Sequence, residues 1–430
     1  MRSIYLTIAL IVPLLVGCSI LAPTEDAPFQ IESPTSTITT PGPDSTLQSP
    51  GETPTPGPVT LLLWLPPELV PELNSRAGSI LQEQLNEFTQ RRPGVSIDVR
   101  VKDTEGSGGL VDSLNTASAA APLALPDLVA LPYEAMQASA LKGLLHPFDG
   151  LTIAMDDPDW YNYAQELAHL QSSIFGLPLA GDSQVLAYRS TLIEEPPLDW
   201  ETALQTPSPY VFAAADPQAL FTLAQYKANG GVTQDDQGRP FLEGDKLAEV
   251  LNFFQSAEEV DLMPFWLTQF ETDEQVWDAY QDNRSAMVVT WSSRFLTKAS
   301  TNTALAPILT PDGLPYSLVT GWVWSLPSAN PEHRELGTLL AEFLTESSFL
   351  TEWTEALGYL PPRPTAMLAW SNASIAAQLD RISVSAHLVP TQDILSSLGP
   401  ALEGATVDVL KQQNNPASAV ETAVESLSEP

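Results

Sequence analysis

The chain has one cysteine in 430 residues, four histidines, and 18 Lys and Arg against 53 Asp and Glu. Each shortage excludes something. A lone Cys18 forms no internal disulfide. His146, His169, His333 and His387 lie far apart and make no ligand spacing of the HExxH kind, so no metal centre is expected. A formal charge of -35, spread along the chain, repels nucleic-acid phosphates and anionic lipid surfaces. It reads instead as a solvated surface that keeps the protein soluble. There is no GxSxG elbow, no P-loop and no GxGxxG fingerprint, and Gly106-Ser107-Gly108-Gly109 lacks the Lys-Ser/Thr of a phosphate loop. Acidic pairs occur everywhere, so two carboxylates at glycosidase separation cannot be picked out. No catalytic residue and no cofactor is expected.

What the chain does have begins at its N-terminus. Arg2 precedes a short apolar run, Ile4 to Val16, and small Gly17 precedes Cys18. This is the layout of a secretory signal whose core is too short to span a bilayer comfortably. Leu15-Val16-Gly17-Cys18 resembles a bacterial lipobox, in which the cysteine thiol receives a diacylglycerol and becomes the new N-terminus. The alternative is an ordinary signal peptide in which Cys18 is incidental. Residues 1–17 are thus expected to be a leader. From Ser19 to Pro58 follow nine Pro, eight Thr, five Ser, one aromatic (Phe29) and no Lys or Arg. Such a segment buries too little apolar surface to offset its chain entropy, and is expected to be a disordered tether reaching at least ~35 Å. No later segment is apolar for long enough to be a transmembrane helix.

The globular pattern starts at Val59. Val59 to Leu65 (VTLLLWL) predicts a buried strand, Ser79 to Arg92 an amphipathic helix, and Val95 to Val101 a second strand. Leu110 to Ala120 reads as a helix, Asp127 to Leu131 as a strand, and Tyr133 to Leu141 as a short helix. These alternations imply right-handed crossovers and a largely parallel sheet. Further on, Val185 to Arg189 reads as a strand after a turn at Ala180-Gly181-Asp182. Helices are predicted at Asp216 to Lys227, Asp245 to Glu258 and Asp273 to Asp282. Strands follow at Ala286 to Thr290 and Ser317 to Leu326. The remainder reads as helical: Pro331 to Leu344, Ser347 to Leu357, Gln392 to Leu410 and Pro416 to Leu427.

Six phrases, in order, then resemble one family. They are LQEQLNEFTQRRPGVSIDVRV (Leu81 to Val101), the segment from Pro126 to Asp149, FGLPLAGDSQVLAYRSTL (Phe175 to Leu192), Asp199-Trp200, YQDNRSAMVVTWSSRF (Tyr280 to Phe295) and GYLPPR (Gly358 to Arg363). Together they are similar to the extracellular solute-binding proteins of ABC importers, in the group that binds sugars and oligosaccharides. Arg189 stands where the family has Asn, and Asn283 where Gly is common. The resemblance implies an α/β fold of two lobes, each a mainly parallel sheet flanked by helices and discontinuous in sequence, closing over a ligand by hinge motion. It places crossovers near Gly181–Val185, Tyr316–Thr320 and Tyr359–Pro362. Lobe I is then 59–181 with 320–358, and lobe II 182–319 with 359–430. A monomer is expected, with a carbohydrate ligand and ABC permease subunits as partners, anchored to the outer face of the cell membrane through Cys18.

A sugar site needs aromatic plates for C–H faces and carboxylates, amides or Arg for hydroxyls. In an α/β fold these lie at strand ends. Trp291, directly after AMVVT, is the leading candidate, with core packing as its alternative. Trp322 is preferred over Trp324 because it adjoins Gly321. Trp64 and Glu68 follow the first strand, and Tyr133 and Glu134 the third. Asp182 and Ser183 begin a crossover, while Tyr359 and Arg363 flank the last one. Arg363 has an equal reading as a structural ion-pair partner. Trp266 and Trp277 read as packing. The second functional reading is a lipid-anchored carbohydrate-active or cell-surface interaction protein, or a binder of a non-sugar solute. If Cys18 carries lipid, Cys18→Ser moves the protein from the detergent phase to the aqueous phase in a Triton X-114 partition; an unchanged distribution removes the lipobox.

Overall fold

The structure, a computed structural model, describes residues 58–70 and 75–427. The leader, Cys18 and nearly all of the expected tether lie outside the described residues. Eleven strands are described: β1 (Val59–Leu65), β2 (Val95–Val101), β3 (Leu128–Pro132), β4 (His169–Leu170), β5 (Ser173–Ile174), β6 (Leu177–Arg189), β7 (Tyr210–Val211), β8 (Met287–Trp291), β9 (Thr303–Ala306), β10 (Ser317–Ser325) and β11 (Ala386–Leu388). β4 and β5 form a separate hairpin. The others run in the order β2-β1-β3-β10-β6-β8-β7, with β11 on β10 and β9 on β6.

β1 pairs in parallel with β2 and β3, and β7 with β8, as βαβ crossovers require. Every antiparallel contact of this sheet involves β6 or β10. Those two strands belong to both halves. β6 pairs with β10 through Leu177–Ser183 and with β8 through Gln184–Tyr188. β10 meets β11 through Ser317–Val319 and β3 through Trp322–Ser325. The molecule is a mixed α/β fold of two sheet halves flanked by helices. Most of its buried apolar side chains form one large cluster. A smaller one, around Trp64, Leu114, Val129 and Met136, fills the other face of β1 and β3 beneath helices Leu110–Ala120 and Tyr133–Leu141.

The main departure from the sequence reading is at Ala180-Gly181-Asp182, which is strand rather than turn. Gly181 stands opposite Gly321 of β10 and exchanges both backbone hydrogen bonds with Leu360 on its other side, at 2.7 and 2.8 Å. Three backbones therefore run side by side here. Glycine serves this crossing by its lack of a side chain. A Cβ on Gly181 would meet the Tyr163 hydroxyl at 2.6 Å, and one on Gly321 the Ala180 carbonyl at 2.5 Å and Leu167 at 2.9 Å. Both contacts lie against helix Asn162–Ala168, which seats on the crossing strands.

A second departure is the helix expected from Asp216, which begins at Leu220. The Asp216 carboxylate instead accepts from the Gln218 and Leu220 N–H groups, and so turns the chain ahead of the helix. Helix Ala373–Val384 and strands β7, β9 and β11 had no sequence counterpart. Asn283, where the family commonly has Gly, sits at φ 60°, a left-handed conformation that Asn tolerates. Arg189 donates to the Tyr280 carbonyl at 2.6 Å and covers the Tyr280 ring at 4.4 Å, which accounts for a buried cation at that strand end.

Gly321→Ala forces the added methyl onto a carbonyl that cannot leave its ladder. The expected loss is about 1–3 kcal/mol, the usual cost of overpacking, measured as a fall in the urea midpoint. An unchanged midpoint would show that the crossing has room.

Candidate functional site

Parallel strands in both halves end toward one region, and the loops there carry the polar side chains. β1 leads to Glu68, β3 to Tyr133 and Glu134, β7 to Asp216 and Gln218, and β8 to Trp291, Ser292 and Ser293. Asp182 and Gln184 sit on the same face of β6 by its two-residue period.

Asp182 is the centre of this arrangement. Its Oδ1 accepts from the Ser292 hydroxyl at 2.7 Å and the Ser293 N–H at 2.9 Å, and its Oδ2 from the Ser293 hydroxyl at 2.5 Å. These are the first residues of helix Ser292–Lys298. Burial outweighs the three donors and, with the nearby charge of Asp273, pushes the Asp182 carboxyl up to about 6. Burial likewise raises the Tyr359 hydroxyl, and the negative charges of Asp182 and Glu68 raise it further. A hydrogen bond to the Trp322 side chain works the other way. Glu68, Asp182, Trp322 and Tyr359 thus share one neighbourhood, drawn from β1, β6, β10 and the Gly358–Leu360 segment. Trp291 joins it as the residue before Ser292.

Beside Trp291 lies a cavity of about 280 Å³, lined by Gln184, Asp216, Gln218, Asp273 and Trp291 among others. Asp273 accepts from Arg294, yet burial still raises its carboxyl. Burial also raises Asp216 despite its two backbone donors. Charge in this site is held expensively, as binding and catalytic sites commonly hold it.

The remaining sequence-derived candidates divide. Glu134 keeps a solvent-exposed surface, but the surrounding protein and Glu105 raise its carboxyl, as befits a residue in a concavity. Tyr133 is buried and raised by burial and by Glu166. It lines a separate cavity of about 310 Å³ with Glu166, Lys227, Tyr316 and His387. Trp64 is 3% exposed, in the smaller core, with Lys102 stacked 4.5 Å from its ring. Ser183 faces inward and bonds Ser317 at 2.8 Å. Arg363 takes its ion-pair alternative: it meets Asp157 at 2.8 Å and Asp159 at 3.7 Å, donates to the Thr345 carbonyl, and lies 3.7 Å over Trp160. Trp277 and Trp324 are buried packing residues, as read, and Trp266 lies under Arg284. A concavity of about 930 Å³ lies elsewhere, against helices Gln392–Leu410 and Pro416–Ser426; its Asp235 and Arg239 pair with each other.

Gln184, Asp216, Gln218, Asp273, Ser292 and Ser293 were missed as candidates. Asp216-Pro217-Gln218 was read as the start of a helix because β7 is only two residues long. Ser292-Ser293 carried a legible signal, since hydroxyls just after a buried strand and opening a helix are placed to bond a facing carboxylate.

The raised Asp182 has a consequence for stability. An acid whose folded pKa exceeds its unfolded one stabilises the fold when protonated, and that contribution is lost as pH rises from about 4 through about 6. Asp182→Asn removes this loss, so the variant gains on wild type across that window by on the order of 1–3 kcal/mol. A difference independent of pH would show Asp182 to be an ordinary carboxylate.

Comparison with known proteins fits this geometry. No curated protein sequence matches the chain. Among solved structures, a cyclo/maltodextrin-binding protein complexed with maltotetraose superposes with TM-score 0.70 at 18% identity, covering 88% of this chain and 98% of that one. The cyclic alpha-maltosyl-1,6-maltose binding protein from Arthrobacter globiformis gives 0.70 at 15%, covering 86% and 98%. An ABC transporter solute-binding protein from Thermotoga lettingae, bound with alpha-D-tagatose, gives 0.62 at 20%, covering 86% and 98%. These likenesses establish the two-lobe fold. The sequence profile of the bacterial extracellular solute-binding proteins matches residues 83–378, more than half of the chain. The chain therefore belongs to that family, whose members hold a solute outside the cell rather than transform one.

Proposed function

We propose that this protein captures a carbohydrate between its two sheet halves and hands it to the permease of an ABC importer, while a lipid on Cys18 holds it at the outer face of the cell membrane. The observation that carries the reading is the neighbourhood of Asp182. An aromatic plate, Trp291, and a second aromatic pair, Trp322 and Tyr359, stand around carboxylates at strand ends, which is the chemistry that sugar faces and hydroxyls require. The ligands bound by the structural neighbours, maltotetraose and alpha-D-tagatose among them, agree with it. The residues that would meet the ligand are Glu68, Glu134, Asp182, Trp291, Trp322 and Tyr359, with Asp216 and Gln218 added from the structure.

The lobe bounds proposed from the sequence, 59–181 with 320–358 and 182–319 with 359–430, place the three crossovers where β6, β10 and Gly358–Leu360 run side by side. Closure would rotate the halves about these three backbones. Among the described residues no helix is long and apolar enough to cross a membrane. Lipid on Cys18 and the forty-residue reach behind it would keep the receptor near a permease. A cell-surface carbohydrate-interaction protein on the same scaffold is the other reading.

Titration calorimetry with mono- and oligosaccharides, read together with tryptophan fluorescence, tests the proposal. A saturable heat with a fluorescence change and the sugar recovered intact is the expected result. Trp291→Ala should weaken binding by about 0.5–1.5 kcal/mol beyond the lost contact area. No heat with any sugar sinks the carbohydrate reading, and consumption of the sugar sinks the binding-only one.

A further inference from the structure

The cavity beside Trp291 is short of cations. Among the described residues its walls carry Asp216, Glu271 and Asp273 and no Lys, Arg or His. Asp182 lies close enough to Asp273 for their charges to interact. Of these four carboxylates, only Asp273 has a cationic partner among the described residues, Arg294. Asp182 is held by serine hydroxyls and one N–H, and Asp216 by two N–H groups, all neutral donors. From the neighbouring helix Gln392–Leu410, Glu403 adds another negative charge that interacts with Asp216 and Glu271, and with the cation of Lys411.

A second observation, independent of charge, points to a missing donor. Gln184, 6% exposed, and Thr290, 2% exposed, stand on the wall of this cavity, and Gln184 Oε1 and Thr290 Oγ1 have no hydrogen-bond partner among the described residues. A carbonyl oxygen only accepts, and a buried acceptor left unpaired is costly. The lining therefore offers acceptors in excess and asks for N–H or O–H donors that bring positive charge with them.

We propose that the solute is an amino sugar, alone or as the end ring of an amino-oligosaccharide, with its ammonium among Gln184 Oε1, Asp216 and Asp273 and its ring against Trp291. The proposal rests on the carbohydrate reading of the same cleft and narrows it. An ammonium has three donors and no acceptor, which matches the lining. It offsets charge that a neutral sugar would leave facing itself, and a cation is also attracted to an indole face. At about 280 Å³ the cavity falls just below the roughly 300–1,000 Å³ of sites that enclose whole drug-sized ligands, so it suits a single ring.

The test is calorimetry on the full chain with glucosamine, N-acetylglucosamine, glucose, the β-1,4-linked disaccharide of each, and spermidine. The amine forms should bind at least about tenfold more tightly than their hydroxyl counterparts at low ionic strength, with the advantage shrinking in ~0.5 M NaCl. Glu271→Gln, which changes an exposed side chain and leaves folding intact, should cut amine binding about threefold, and Asp216→Asn about tenfold, as loss of nearby charges predicts. Neutral sugars binding as tightly as the amines overturn the charged-ligand proposal and leave the carbohydrate reading standing. Spermidine binding with no sugar bound overturns the carbohydrate reading and the sugar half of the proposal together. Silence from every probe overturns both.

Discussion

Much of this molecule depends on how closely three backbones run past one another at Gly181. β6 and β10 are the strands that enter both halves of the sheet, and Leu360 closes the other side of β6 through two hydrogen bonds. Backbone N–H and C=O groups buried at such a crossing need partners. The three strands provide them for one another. What lies on the open face of the crossing is polar: Asp182, held by the first residues of the helix after β8. The support of the fold and the centre of the site are therefore one strand, separated by the alternation of side chains. Gly181 faces helix Asn162–Ala168, and Asp182, its neighbour, faces away from it.

That alternation explains how the site gets its electrostatics. Asp182 and Asp216 are positioned by backbone N–H groups and hydroxyls at the starts of helices or turns. Such donors fix orientation, but they add no formal charge to offset burial. Each carboxyl is accordingly raised, and each is poised to gain from a ligand that brings donors. The surplus of acid over base along the whole chain is a surface property; in this region it extends to buried carboxylates.

The sequence was most legible where burial is two-sided and local. β1, β2, helix Leu110–Ala120 and helix Tyr133–Leu141 stand where their patterns placed them. It was least legible where partners from distant segments decide. Ala180-Gly181-Asp182 has the composition of a turn, and only Gly321 and Leu360, far along the chain, make it strand. β7 is too short to show a period, so the loop after it, with Asp216 and Gln218, merged into the following helix. Among the candidate residues, crossover position selected Asp182 and Tyr359, and strand-end position selected Trp291. The strand-end rule also selected Trp64, which the structure buries in the smaller core, because it does not tell which face of a strand a side chain takes.

Arg363 has a mechanical consequence. The Gly358–Leu360 segment leaves helix Ser347–Leu357 through Gly358 at φ 78°. Three residues after Leu360, Arg363 is clamped to Asp157, Asp159 and the Thr345 carbonyl, while the Pro362 carbonyl accepts from the Tyr161 N–H. The far end of the segment is thus an anchored bearing, and its near end turns at a glycine. Both ends of the segment are thus tied to residues of the part formed by 59–181 and 320–358, and Tyr359 lies between the two ties.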